Sequence, residues 1–249
     1  MREPPGNQRE WMEVYRRRAA LDPLRAVLDE GDPDNRKNAY VNAVEHYHVA
    51  RALRGLRPAI AVDLGCGIGR FSGLLAARAA VVVGIDASED LLRAAVRRFP
   101  SGKVRFARGD LRDLPLRTGT ADLAFCCQVL LHLTEEADLS ATAREVRRVL
   151  RPGGTALLLE HLAPGDESLR REGVLHRCPR EFLAPFLATG LRPDLNRAIR
   201  KTPSRLVHWV RRRRLPRVLW GLAARFEPFF AGIGREPPLY REHLVRLRG

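Results

Sequence analysis

The chain reads as an α/β protein: a seven-stranded, mostly parallel sheet with helices on both faces, preceded by an N-terminal helical lid. Three observations point there. From residue 59 onward short apolar runs alternate with amphipathic stretches, the pattern of parallel strands joined by right-handed crossovers. Those runs are rich in Val, Ala and Leu, which suits strands covered on both faces. A glycine-studded turn, VDLGCGIGRFSG at 62–73, follows the first run directly.

Taken in order, residues 8–30 form a broken helix that restarts at Asp22-Pro23, with Asp22 as N-cap and Pro23 in the first helical position. GDPDN (31–35) is a loop, and 36–54 a second amphipathic helix carrying Tyr40, Val44, Tyr47 and Ala50. AIAVDL (59–64) is the first strand, the glycine turn follows, and a helix runs over about 69–78. AVVVGID (80–86) is the second strand, and Ser88 caps a helix to about 98. KVRFARGD (103–110) and ADLAFCCQ (121–128) are the third and fourth strands. A helix over 135–150 stops at LRPGG (150–154), and TALLLEHL (155–162) is the fifth strand. CPREFLAPFLATG (178–190) is a helix and LRPDLNRAI (191–199) the sixth strand. Residues 204–230 return to helical spacing, split at Pro216, and YREHLVRLR (240–248) is the last strand.

At 249 residues, 45% hydrophobic and 29% charged, the chain fits one large domain or a domain with a small cap. The polar N-terminal stretch MREPPGNQREW has no apolar signal core, and no run of about 18 apolar residues exists to span a membrane. Four cysteines, Cys66, Cys126, Cys127 and Cys178, show neither CxxC nor zinc-ligand spacing, so reduced thiols, no metal site and a cytoplasmic location are expected. The formal charge of +15 is almost all arginine, since the only lysines are Lys37, Lys103 and Lys201. An arginine skew spread over the whole chain is weak support for a nucleic-acid partner.

A strand, a glycine turn and a helix place a ligand site at the carboxyl end of a parallel sheet. Gly65, Gly67 and Gly69 let a ligand approach the backbone. Asp86 ends the second strand 21 positions after Gly65, where an acid grips ribose hydroxyls. A dinucleotide site fits poorly. The third glycine comes one residue early, Arg70 takes its place, and Asp63 lies where a pyrophosphate would sit. A carboxylate there suits a cation, such as an amino group or a sulfonium.

DLGCGIG (63–69), GID (84–86), GDLRDLPL (109–116), ADLAFCCQVLLHL (121–133) and EVRRVLRPGGTALLLE (145–160) resemble, in order, the successive motifs of the class I S-adenosylmethionine-dependent methyltransferases. The resemblance covers about residues 40–200 and implies a Rossmann-like fold. It implies that Asp63 and the backbone of Gly65, Cys66, Gly67 and Gly69 line the methionine moiety, and that Asp86 holds the ribose. Ala87, Asp110 and Leu111 would contact the adenine, with Gln128 and Val129 beside the transferring methyl. The expected segments are a lid at 1–54, an S-adenosylmethionine-binding core at 55–200, and a basic helical insert with the last strand at 201–249.

The acceptor is the open question. No Asn/Asp-Pro-Pro-Tyr-like run follows the fourth strand, which argues against transfer to adenine or glutamine amides. Cys178-Pro179 reverses the Pro-Cys order of enzymes that methylate pyrimidine carbon. A small-molecule hydroxyl or amine is the leading expectation, with His132, Glu160 and His161 as candidate substrate-side groups. His132 is either a base or a residue that packs or caps the next helix. Tyr15, Tyr40 and Tyr47 either close over the cofactor or pack in the core. Arg197, Arg200, Lys201, Arg205, Arg211, Arg212, Arg213, Arg214 and Arg217 fall in one stretch without an acid, interleaved with Trp209 and followed by Trp220. That stretch is either a solvated helix face or a docking surface for RNA, an anionic membrane or an acidic carrier. A chain that keeps the cofactor fold without methylating is a further reading.

Overall fold

The computed structural model describes residues 8–100, 102–171, 173–231 and 239–249. The first seven residues of the polar N-terminal stretch therefore lie outside the described residues.

Three helices come first: α1 (Gln8–Arg18), α2 (Pro23–Val27) and α3 (Arg36–Ala52). Asp22 caps α2 as expected, accepting a 3.0 Å bond from the Leu24 N–H ahead of Pro23. The alternating part then runs β1 (Ile60–Leu64), α4 (Ser72–Ala76), β2 (Val81–Asp86), α5 (Glu89–Arg98), β3 (Val104–Arg108), β4 (Ala121–Cys127), α6 (Glu136–Val149) and β5 (Leu150–Leu162). Ser88 caps α5 through its hydroxyl. A short hairpin, β6 (Leu169–Arg171) and β7 (Val174–His176), follows. The chain closes with α7 (Pro179–Ala188), β8 (Arg192–Thr202), α8 (Arg205–Arg211), α9 (Trp220–Ala231) and β9 (Tyr240–Arg248).

The large sheet has the order β3-β2-β1-β4-β5-β9-β8. Its first five strands are parallel, and β9 inserts antiparallel between β5 and β8. Period-2 alternation sends neighbouring residues to opposite faces. Ala124, Cys126, Ala156 and Leu158 pack with Leu139, Val146, Phe182 and Phe186 beneath α6 and α7. Leu123, Phe125, Leu157 and Leu159 pack with Val49, Leu53, Phe71 and Leu75 on the other face. Both faces are covered, so the strands carry apolar residues at successive positions, as read from the sequence.

The order along the chain hides one relationship. The N-terminal and C-terminal helices form a common layer, in which Tyr40 and Val44 of α3 pack against Leu206, Val210, Leu215, Trp220 and Ala224. Pro216 does split the C-terminal helical stretch, leaving α8 and α9 on either side of a short turn at Arg217–Leu219. The basic stretch divides as well. Arg197 turns inward to His48 (3.0 Å) and Arg200 to Glu242 (2.8 Å), while Arg205, Arg211–Arg214 and Arg217 are exposed. A purely solvated basic face therefore holds only for the second group.

Candidate active site

The loops leaving β1, β2, β3 and β4 meet at the carboxyl edge of the sheet. After β1 the backbone takes positive φ at Gly65 (+65°) and Gly67 (+53°). A Cβ on Gly65 would overlap the Val129 side chain, so the turn and the loop after β4 fit only without one. Gly69 does not line the cavity. It packs against Phe99 and Phe106, which corrects its expected place beside the ligand.

Asp63 is buried near the end of β1, where its carboxylate accepts a 2.6 Å bond from Ser72. Burial pushes its carboxyl up to about 6, against which the Ser72 bond and Arg70 pull weakly. Asp86 ends β2 with one oxygen on the Gly67 N–H and the other on the Ser88 N–H, each at 2.8 Å. Its carboxyl also lies above the usual range because it is buried. Asp110 is held by the Arg112 side chain at 2.9 and 2.6 Å, which keeps it ionised and below the usual range.

These acids, with Cys66, Ala87, Leu91, Leu111, Val129 and Met12, line a cavity whose empty volume is about 1060 Å³ with its open mouth included. Acids alternate here with apolar and sulfur-bearing walls. The donor set fits a ligand with a cation, vicinal hydroxyls and a flat ring, and it offers little to a pyrophosphate.

A second cavity adjoins the first and shares Trp11, Tyr15, Val27, Gln128 and His132 with it. His132 closes the turn after β4, and its Nε2 lies 3.0 Å from the Tyr15 hydroxyl of α1. Trp11 packs edge-on against the His132 ring at 4.3 Å and donates to the Gly173 carbonyl at 3.2 Å. Burial drives His132 down to about 4, so it is neutral at physiological pH, and its buried Nδ1 has no hydrogen-bond partner among the described residues. Burial holds the Tyr15 hydroxyl up at about 12. His161 also faces the second cavity, stacked on Tyr240 at 4.2 Å, with its Nε2 unpartnered among the described residues and its imidazole kept neutral by burial.

Glu160 is placed otherwise. It lines neither cavity. One oxygen accepts from the N–H groups of Leu130 (2.8 Å) and Leu131 (3.3 Å), the other from His161 (2.9 Å). Burial lifts its carboxyl to about 7, and it anchors the turn that presents His132. Of the three tyrosines, Tyr15 alone reaches the cavities. Tyr40 is fully buried on Glu227 (3.0 Å) in the α3–α9 core.

Sequence reasoning missed the floor between the cavities. Gln128 sits at φ +55°, and its amide donates to Glu45 (2.9 Å) and Glu242 (3.1 Å). Glu45 pairs with Arg70, and Glu242 with Arg200 at 2.8 Å, all four nearly or fully buried. Burial works against the Glu45 carboxylate, but Arg70 and a bond from Glu242 outweigh it and hold it low. Burial and the neighbouring Glu45 push Glu242 up. Among the described residues no cluster of His, Cys, Asp or Glu is arranged to hold a metal ion.

Comparison with known proteins agrees with this geometry. A family model described as a methyltransferase domain matches residues 61–154. The trans-aconitate 2-methyltransferase of Azoarcus sp. (strain BH72) is 36% identical over 152 residues, 59% of this chain and 55% of that protein. Three curated relatives match at 35% to 41% identity, and the chain spans 29% to 48% of their length. In fold, the chain is similar to a geranyl diphosphate C-methyltransferase from Streptomyces coelicolor A3(2), with TM-score 0.67 and 16% identity over 98% of this chain and 99% of that one. It is also similar to an S-adenosylmethionine-dependent methyltransferase from Mesorhizobium loti, with TM-score 0.59 and 22% identity over 84% and 100% of the two chains. The strand order, the glycine turn with its two acids and the matched domain agree: residues 61–154 carry a methyltransferase domain, and the whole chain has the fold of S-adenosylmethionine-dependent methyltransferases.

Proposed function

We propose that this chain transfers a methyl group from S-adenosylmethionine to a hydroxyl or amine of a small molecule of the specialised-metabolite kind. The observation that carries the reading is the pair of cavities meeting at Tyr15, Gln128 and His132. One has the donor set for the cofactor, and the other is a separate chamber large enough for an acceptor. When bound, S-adenosylmethionine supplies an activated sulfonium methyl for in-line displacement, and S-adenosylhomocysteine is the product.

The residues have distinct tasks in this scheme. Asp63 offers a buried carboxylate to the cationic methionine end, and Asp86 accepts from the ribose hydroxyls. Ala87, Asp110 and Leu111 border the adenine, and the backbone of Gly65, Cys66 and Gly67 lies along the ligand. Gln128 and Val129 set the passage between chambers. Holding nucleophile and methyl in line contributes up to about 7–11 kcal/mol in favourable cases. As the acceptor's new bond forms, its proton passes through the Tyr15 hydroxyl to the neutral His132, a gain of roughly 10²–10⁴-fold. Trp11 and Tyr15 keep water from the junction. His161 and Tyr240 shape the acceptor chamber, and Glu160 positions the His132 turn without touching substrate.

The test uses methyl-labelled S-adenosylmethionine and a lysate of the source cells, separated into organic-soluble, RNA and protein fractions. Label in the organic-soluble fraction supports the reading. Label confined to RNase-sensitive material overturns the choice of acceptor.

A further inference from the structure

Helix α9 is built the wrong way round for a helix that merely packs. Trp220, Ala224 and Glu227 recur at helical spacing and are buried against α3. On the opposite side of the same 3.6-residue turns, Leu222 is 56% exposed and Phe226 49%. The turn before it adds Val218 at 87%, and α8 adds Trp209 at 48%. Large apolar side chains scattered singly over a surface need no explanation, but a run of them on one layer marks a contact surface.

The charges around the run say what it contacts. Arg211, Arg212, Arg213, Arg214, Arg217 and Arg225 are all exposed, and no acid lies between Thr202 and Glu227, which is buried. Of these arginines only Arg213 has an ion pair within 4 Å among the described residues, a loose one of 3.5 Å to Asp34. A second copy of the chain would bring six more arginines against these six, on a protein of net charge +15. Apolar side chains interleaved with unneutralised arginines are complementary to one environment in particular: an interface with acyl chains below and anionic headgroups above. Among the described residues no helix is long and apolar enough to cross a membrane, so contact there is peripheral.

We propose that the α8–α9 face docks this protein on an anionic lipid surface. Val207, His208 and Arg211 of α8 line the second chamber, so the docked helix is also the chamber's wall. The proposal does not depend on which molecule is methylated.

The test is co-sedimentation of the full chain with vesicles of phosphatidylcholine alone and of phosphatidylcholine mixed with phosphatidylglycerol. Binding to the mixed vesicles only, weakening as salt is added, is expected. Each arginine near such a surface is worth about fivefold, so Arg213→Gln with Arg214→Gln lowers the partition coefficient roughly thirtyfold. Leu222→Ser with Phe226→Ser lowers it at least tenfold. These positions are exposed, so an unchanged thermal transition verifies that each variant is folded. As a second reading, Trp209 fluorescence shifts to the blue on mixed vesicles, and Trp209→Phe removes that shift. Absence of binding, equal binding to neutral vesicles, or binding that both double variants retain overturns the proposal. So does self-association or RNA binding that the same variants abolish while vesicle binding is undetectable.

Discussion

With Asp63 beside the cationic end of the proposed cofactor, binding is expected to be a proton-linked event. Burial raises the Asp63 carboxyl to about 6. A raised folded value means that the fold's stability from this group is fully present below the unfolded value of 3.8 and is lost as pH climbs through about 6. A sulfonium or ammonium beside the carboxylate reverses the balance and holds it ionised. Binding therefore expels the proton. At about pH 6 half the molecules carry it, so close to half a proton is released per cofactor bound, and about a tenth at pH 7. Affinity rises roughly tenfold between about pH 5 and pH 7 and then levels off. Calorimetry in buffers of different ionisation enthalpy measures the released proton directly. Asp63→Asn is expected to bind more weakly and to lose both the release and the slope. S-adenosylhomocysteine, which keeps the ammonium and lacks the sulfonium, separates the two cations: an equal release assigns Asp63 to the amino group. No release by the wild-type protein, or equal release by Asp63→Asn, would refute the placement of a cation beside this acid.

Three further outcomes are expected. Asp86→Ala weakens S-adenosylmethionine binding at least tenfold, from the loss of charge-assisted bonds worth roughly 1.5–3 kcal/mol, and isothermal titration measures it. His132→Ala leaves cofactor affinity unchanged and slows single-turnover transfer roughly 10²-fold, and Tyr15→Phe slows it in the same direction; an undiminished rate in both returns this pair to a packing role. Glu45→Gln, which strips Arg70 of its buried partner, costs about 3–5 kcal/mol in urea unfolding. Glu242→Gln, at a carboxyl that burial already biases toward its neutral form and with an amide oxygen that still accepts from Arg200, costs less, about 1 kcal/mol.

What the sequence carried was whatever is local. Asp63 and Asp86 are legible because they lie at or next to the end of strands whose apolar runs are unmistakable. The Asp22 and Ser88 caps are legible because a cap is decided within three residues. The errors come at the same sites for a different reason. Glu160 lies at the cleft end of β5, and period-2 alternation does not tell whether an acid there meets ligand or the N–H groups of the next loop. Gly69 shares the spacing of Gly65 and Gly67, but Phe99 and Phe106, 30 and 37 positions on, decide its surroundings. The contact between Tyr15 and His132 spans 117 positions, and that between Gln128 and Glu242 spans 114. No spacing rule reaches that far. The one available hint was chemical: Glu45 sits among apolar neighbours on α3, where an acid without a buried partner is untenable. The β6–β7 hairpin left no signal beyond the glycine at 173.

The placement of β9 sets the order in which this fold can come to exist. The strand enters between β5 and β8, and it carries Glu242, the anchor for Arg200 and Gln128. A nascent chain that has emerged only as far as α9 has its cofactor turn, its strand-end acids and the Tyr15–His132 pair already synthesised. Yet β5 and β8 then face each other across an empty slot, each with unpaired backbone groups. Gln128 at that stage lacks one of the two carboxylates that hold its left-handed backbone. The passage between the chambers therefore matures only once β9 is in place. A chain stalled before residue 240 is exposed along both strand edges, and it is a target for chaperones and proteases before it is a catalyst.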